Sequence, residues 1–326
     1  MRLSKINRLA RIVLLTLTAV AGAASAQQFP SKPITLIVPY PPGGAGDVAA
    51  RKMADSLTRQ VGQPVVILNQ GARDGVIGAG IVARATPDGY TLLAADPAPI
   101  TLSSLLRTNL PFDPMKDLTP VAEYLYVPLI LVAQPGAPFK SIKEFIDQAK
   151  ANPGKYKIGT GSTLLQLGTE LIRQKAGVDI LSVPYKGGAA SVQDLLGGSI
   201  DAVVTSTGPV AGLVNGGKLR ILASFGRTRG NNALAEVPTM VETGYPDAVV
   251  GAWFGILGPK GLPANLSTYL SQKIAEAAKT DEMKALANQF GGEIAVYQRG
   301  DFARRLAAER ANAAPVVKAA KMVAGE

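Results

Sequence analysis

The sequence predicts an α/β fold with largely parallel sheets. Three observations carry the prediction. Short apolar, β-branched runs alternate with helical periodicities, Gly, Pro or Asp bounds the runs, and Gly-rich loops stand between a run and the next helix. The 326 residues, 47% of them hydrophobic, suffice for a packed core and suggest about two domains.

Residues 1–26 read as an address rather than as fold. They carry Arg2, Lys5, Arg8 and Arg11 and no acid, then an apolar run, and they end Ala24-Ser25-Ala26. A basic start, a short apolar stretch and a small-residue ending make a secretory signal peptide cleaved after Ala26. A membrane anchor would need about 20 apolar residues, and this run is shorter. Cleavage leaves 300 residues, 27–326, and lowers the formal charge from +10 to +6. No second long apolar stretch follows, so the mature chain is expected to be soluble and exported. Its positive excess either attracts anions or is an ordinary solvated surface.

Strands are expected at residues 34–38, 65–68, 91–95, 129–133, 180–183, 202–205, 220–224 and 254–257. Between the first two, residues 48–61 set Ala50, Met53, Ala54, Leu57 and Val61 on one helical face. Ser141-Ile142-Lys143-Glu144 reads as a capping box whose helix stops before Asn152-Pro153-Gly154. Thr163-Leu164-Leu165-Gln166 reads as a second box, its helix ending near Ala176-Gly177. Residues 195–204 echo residues 213–222: each has a helix end, a Gly pair able to take the left-handed cap, and a strand. Two units are too few for a solenoid.

The loops carry the functional argument. Pro39-Tyr40-Pro41-Pro42-Gly43-Gly44-Ala45-Gly46-Asp47 lies directly between a strand and a helix. Glycines let the backbone turn tightly, and the free amides of the helix start favour an anion. The stretch from Gly44 to Ala49 fits the dinucleotide pattern, but the second strand ends on Asn69 rather than an acid. No Gly-Lys-Ser/Thr follows either, so a nucleotide P-loop fails. Asp47 is expected to be the helix N-cap rather than a catalytic acid. Asn69-Gln70-Gly71-Ala72-Arg73-Asp74-Gly75 and Gly159-Thr160-Gly161-Ser162-Thr163 repeat the design. Two α/β halves facing each other would give a cleft with helix N-termini on both sides, able to hold a small carboxylate. Taken singly, each loop is equally a plain turn.

Composition narrows the chemistry. The chain has no cysteine and no histidine. Disulfides, thiol nucleophiles, Cys/His zinc sites, Ser-His-Asp triads and imidazole acid–base steps are all excluded. The remaining enzyme chemistries would need carboxylates, Lys, Tyr or a cofactor; Asp47, Asp96 and Lys186 are the candidates, and no nucleophile–base pair is visible.

From Phe29 onward the chain resembles the Bug-type periplasmic receptors of the tripartite tricarboxylate transporter family. The matching stretches are Phe29 to Asp47 with Ala50-Arg51, Val61-Gly62-Gln63-Pro64-Val65-Val66, Ile77-Gly78-Ala79 and Pro87-Asp88-Gly89-Tyr90-Thr91-Leu92-Leu93. Later come Val183-Pro184-Tyr185-Lys186-Gly187, residues 195–204, Val237-Pro238-Thr239 and Trp253-Phe254-Gly255-Ile256. The resemblance implies a two-domain type II periplasmic binding protein, a Venus flytrap with a central, mostly parallel sheet in each domain. Domain 1 is expected at residues 27–126 and 255–326, and domain 2 at residues 127–254.

Carried over by position, the family's ligand loops fall on Tyr40, Pro42, Gly43, Gly44, Ala45 and Asp47, on Arg73, Asp74, Gly75 and Val76, and on Thr160, Ser162 and Thr163. Asp96, Thr205 and Ser206 complete the wall. Arg73 and Asp74 replace small residues of the family's pattern, Gln166 and Ser182 stand where histidine is common, and the 162–166 segment is one residue longer. Arg73 either pairs a second ligand carboxylate as a guanidinium fork or pairs with Asp74 or Asp96 at the surface. Asp96 alternatively receives a ligand ammonium group. Trp253 is expected to pack at the domain crossing. The implied function is capture of a small organic carboxylate for uptake through membrane permease subunits, by a periplasmic monomer with no cofactor, metal or nucleic-acid partner. Two alternatives are ligand sensing for a two-component regulator and an exported enzyme of carboxylate or Lys chemistry.

Overall fold

The computed structural model describes residues 29–71, 75–185 and 187–323. The expected signal peptide, Arg73, Asp74 and Lys186 lie outside the described residues.

The first half is built from β1 (Ile34–Val38), α1 (Ala45–Val61), β2 (Val65–Asn69), α2 (Val76–Ala83) and β3 (Thr91–Ala95). A π-helical turn (Ala98–Leu102) and the short α3 (Ser103–Leu106) lead to the long β4 (Leu118–Ala133). The second half holds α4 (Ile142–Ala151), β5 (Lys157–Thr160), α5 (Thr163–Lys175), β6 (Leu181–Pro184), α6 (Gly188–Leu196) and β7 (Ala202–Ser206). It closes with α7 (Ala211–Asn215) and β8 (Arg220–Ser224). The chain returns through β9 (Gly251–Pro259), α8 (Ala264–Ala278), α9 (Asp281–Phe290), β10 (Tyr297–Gln298) and α10 (Arg299–Ala319).

Among the described residues the strands run β2-β1-β3-β9-β4-β7-β5-β6, with β8 and β10 also paired to β4. β1 pairs in parallel with β2 and β3, and β5 with β6 and β7. The period-2 pattern decides the faces. Ile34, Leu36 and Val38 pack with Met53 and Leu57 of α1, whereas Ile37 packs on the opposite face with Val76 and Val82 of α2. Along β4, Leu129, Leu131 and Ala133 face one core of the second half, and Ile130 and Val132 face the other.

β4 joins the halves. It pairs with β9 as far as Pro128↔Gly251, then with β7 and β8 from Leu129 and Ile130 onward. Pro128, lacking an N–H, sits where the ladder changes partner. β4 changes partner at 128/129, and β9 begins at Gly251. A Cβ on Gly251 would meet the Tyr126 ring and the Val127 carbonyl at 2.6 Å, so only glycine lets the returning strand pass so close. Trp253 is fully buried just beyond this point, edge-to-face with Phe302 at 5.2 Å. α10 spans both halves: Phe302 and Leu306 pack with Trp253, while Ala313, Val316 and Val317 join the core of Leu167 and Leu171.

Local signals resolve as follows. Ser141 caps α4, accepting the Glu144 N–H at 3.2 Å, and Glu144 accepts the Lys140 N–H at 2.7 Å. The second box moves one residue: the cap is Ser162, not Thr163, and it accepts the Leu165 N–H at 3.4 Å. Both echoing returns end on a left-handed glycine, Gly198 with φ 75° and Gly217 with φ 66°. The strand 157–160 escaped the sequence reading, because four residues with one Lys and one Gly give no clear period.

Candidate functional site

Strand directions bring the expected loops toward one place. Ala95, the last residue of β3, lies opposite Gly255, which lies opposite Glu123 of β4. β4 continues to Leu129, opposite Ser206, the last residue of β7. β7 runs against β4 while β3 runs with it. The C-terminal ends of β1 and β3 therefore point toward those of β5 and β7 across the crossing.

In the first half, three loops interlock. Asp47, 2% exposed, is the hub. Its Oδ2 accepts the Gly43 N–H and Arg51 Nε, each at 2.9 Å, and its Oδ1 accepts Asn69 Nδ2 at 2.8 Å. The Asn69 amide also donates to the Tyr40 carbonyl at 2.9 Å, and Arg51 donates to Asn69 Oδ1 at 2.9 Å. Burial alone would raise the Asp47 pKa, but the hydrogen bonds from Arg51, Asn69 and Gly43 and the Arg51 charge lower it to about 2. Asp47 is thus a brace of the loop and not the N-cap expected from sequence. The cap is Gly44, with φ −74° and ψ 166°, and no side chain closes it. The first N–H groups of α1 have no intrahelical partner. Pro42, Gly43, Gly44 and Ala45 are exposed around them.

Tyr40 is held from two sides. Its ring lies where a Gly46 Cβ would touch it at 2.7 Å, and its hydroxyl donates to Asp96 Oδ1, which also accepts the Ala98 N–H at 2.9 Å. The hydroxyl contact commits one oxygen of Asp96 to the protein. Gly75 caps α2 with φ 84° against Pro39, and Val76 is turned into the core.

In the second half, Thr160 and Thr205 are buried, each 3% exposed, while Ser162 is exposed and Thr163 and Ser206 are half-buried. Gly161 lies so close to the Gly187–Gly188 backbone that a Cβ would collide with it. Tyr185 turns away to donate to Asp194 at 2.7 Å. Leu102, at the end of the π-helical turn after Asp96, belongs to the core of Leu167 and Leu171, which ties the Asp96 segment to α5. Thr207, just beyond β7, packs under Gly291 of the first half.

Sequence reading missed the polar groups at the crossing itself. Glu123 is 0% exposed, and Arg305 Nε of α10 lies 2.6 Å from its Oε2. The Arg305 guanidinium sits over the Tyr126 and Tyr297 rings, 4.7 and 5.1 Å from their centroids. Glu309, one turn on, accepts from Thr101 Oγ1 at 2.7 Å. Burial pushes Glu123 up to about 8, against the pull of Arg305, and Glu309 up to about 7, against the Thr101 hydrogen bond. The isolated Glu at residue 123 was the only signal for this cluster.

Among the described residues, no group of three or more Asp or Glu could hold a metal ion, and no helix is long and apolar enough to cross a membrane.

Known proteins resemble the chain along most of its length. The family profile described as "Tripartite tricarboxylate transporter family receptor" matches residues 49–322. Protein BugT of Bordetella pertussis is 36% identical over 284 residues, 86% of each chain. A TctC solute binding protein from Polaromonas, solved without ligand, has a TM-score of 0.80 at 26% identity, covering 89% of this chain and 99% of its own. A Rhodopseudomonas palustris protein solved with adipate has a TM-score of 0.72 at 30% identity, covering 90% and 99%. MatC from the same species, with bound malate, has a TM-score of 0.69 at 26% identity, covering 89% and 100%.

Proposed function

Because the chain belongs to the tripartite tricarboxylate transporter receptor family, we propose that it captures a small organic carboxylate between its two halves and delivers it to membrane permease subunits. The family consists of solute-binding receptors, and the chain shares their mixed α/β fold. The observation that carries the reading is the convergence of the α1 and α5 N-termini at strand ends pointing toward each other. Open N–H groups and the positive ends of two helices suit a carboxylate without any basic side chain. Gly43, Gly44 and Ala45 would hold one carboxylate, while Thr160, Ser162, Thr163, Thr205 and Ser206 offer hydroxyls from the opposite side. Tyr40 and Asp96 shape the floor between them, with Asp47 supporting from behind.

Dicarboxylates are the first candidates, because adipate and malate occupy two of the related proteins. Arg73 would pair the second carboxylate, and Asp74, Gly75 and Val76 complete that loop. Residues 27–126 with 255–326 and residues 127–254 would act as lobes that close on the ligand. Residues 1–26 would direct export to the periplasm and be removed there, which intact-mass measurement of the secreted chain tests directly.

Thermal-shift screening of the full mature chain against dicarboxylates, tricarboxylates, aromatic acids and acidic amino acids tests the function. A binder raises the melting temperature and leaves the compound intact. No stabilisation by any acid, or turnover of one, overturns the proposal. Calorimetry of Arg73→Ala with the acid so found decides the role of Arg73, and unchanged affinity removes it from the site.

A further inference from the structure

A cavity of about 410 Å³ lies against the crossing strands and shares no residue with the loops proposed to hold the carboxylate. Its size suits a small organic molecule. Both halves build it. Tyr126 and the turn before β10 come from the first half, Leu167, Leu171 and the turn after β8 from the second, and α10 runs along it between them.

The charges in its lining divide by whether they are already engaged. Arg305 faces Glu123, Asp247 pairs with Lys175 at 3.2 Å, and Glu309 accepts from Thr101. Arg227 and Glu293 also line the cavity, and among the described residues neither side chain has an ion pair or a hydrogen bond. Both are exposed to solvent. They come from opposite halves. Arg227 stands in the turn that Gly226 ties back to Ser224 at 3.1 Å. Glu293 is fixed to the first half through its backbone, which exchanges hydrogen bonds with Tyr126 at 3.0 and 2.8 Å. Leu167, Leu171 and Val250, all largely buried, contribute apolar wall to the same cavity.

We propose that this cavity is a second ligand site, for a zwitterion of the amino-acid class. The ligand's carboxylate meets Arg227, its ammonium meets Glu293, and its side chain covers Leu167 and Leu171. A ligand lacking either charge leaves one of the two residues unanswered, which gives the site its selectivity. Since the two charges belong to different halves, the occupant holds the halves in one relative arrangement and so couples to whatever binds between them.

Calorimetry on the full mature chain tests this with L-leucine, leucinamide and N-acetylleucine as probes. Leucine should bind saturably, and each single-charge analogue about tenfold more weakly or worse. Arg227→Ala should remove the preference for leucine over leucinamide, and Glu293→Gln the preference over N-acetylleucine. Both side chains are exposed, so the melting temperatures of the two variants should match wild type. Absence of saturable leucine binding overturns the proposal. So does binding that ignores both substitutions, which would seat the zwitterion among the Gly43 and Ser162 loops instead.

Discussion

Arg305 of α10 stands 2.6 Å from Glu123 of β4, a residue with no exposed surface. The contact fastens a helix that packs on both halves to the strand that joins them. Arg305→Ala strips the buried carboxyl of its cation and the Tyr126 and Tyr297 rings of their stacking partner. The expected loss is about 3 kcal/mol above pH 8, where Glu123 is ionised, and smaller at neutral pH, where burial already keeps a proton on the carboxyl. Urea denaturation measures it. The double variant Glu123→Leu with Arg305→Met should recover most of the loss, since no charge is then left buried.

The same cluster sets a pH dependence. Glu123 and Glu309 start from 4.5 in the unfolded chain and are raised to about 8 and about 7 by burial. Above 4.5 the folded chain therefore binds protons that the unfolded chain has released. The stabilisation is whole below that value and is lost as pH rises through 7 and 8. The melting temperature should fall between about pH 5 and pH 9. Glu309→Gln should flatten the lower part of the decline and Glu123→Gln the upper part. A level wild-type profile would contradict the assignment.

Asp47 behaves in the opposite sense. Its pKa falls from 3.8 to about 2, so its contribution is present above 3.8 and disappears as pH falls through 2. Asp47→Ala should cost about 2 kcal/mol at neutral pH, the value of that shift. It frees the Gly43 N–H and the Asn69 amide, so carboxylate affinity should drop with stability. The stability gap between variant and wild type should narrow as the pH approaches about 2. A gap of constant size would mean that Asp47 acts through packing alone.

Much of this was legible in the chain. Alternating apolar runs located β1, β3 and β8 to the residue, and the Gly pairs at 197–198 and 216–217 announced both left-handed returns. The strand β4 was half hidden. Its second part, residues 129–133, is uniformly apolar, but the first carries Pro120, Glu123 and Pro128 and shifts register twice. A buried ion pair and a partner change break the pattern that sequence reading depends on. The cap of α1 was misread for a related reason. Asp47 has the chemistry of a cap, but Gly43 and Gly44 bend the chain so that its carboxylate reaches back to an earlier amide. The loops proposed to hold ligand were visible because glycine marks them. Arg227 and Glu293 were not, because only the fold brings the turn after β8 near the turn before β10.

Gly43 and Gly44 separate loop shape from loop volume. Gly43 has φ 89°, a conformation that strains any residue with a Cβ, yet no atom lies within 4 Å of where that Cβ would stand. Gly44, at φ −74°, is in ordinary extended backbone, and its nearest neighbour would be the Pro41 carbonyl at 3.9 Å. Gly43→Ala should therefore cost about 1 kcal/mol through backbone strain alone. Gly44→Ala carries no such strain and should cost less, about 0.5 kcal/mol, the preference of an N-cap for glycine over alanine. If the open amides of α1 hold the ligand, straightening the turn at Gly43 moves them, and carboxylate affinity falls in that variant. In Gly44→Ala the amides keep their places, and an added methyl weakens binding only when the ligand rests directly on the cap. Paired urea and calorimetric titrations give both readings. Equal loss of affinity with unequal loss of stability would put the ligand on Gly44 itself, whereas equal loss of stability would refute the strained turn.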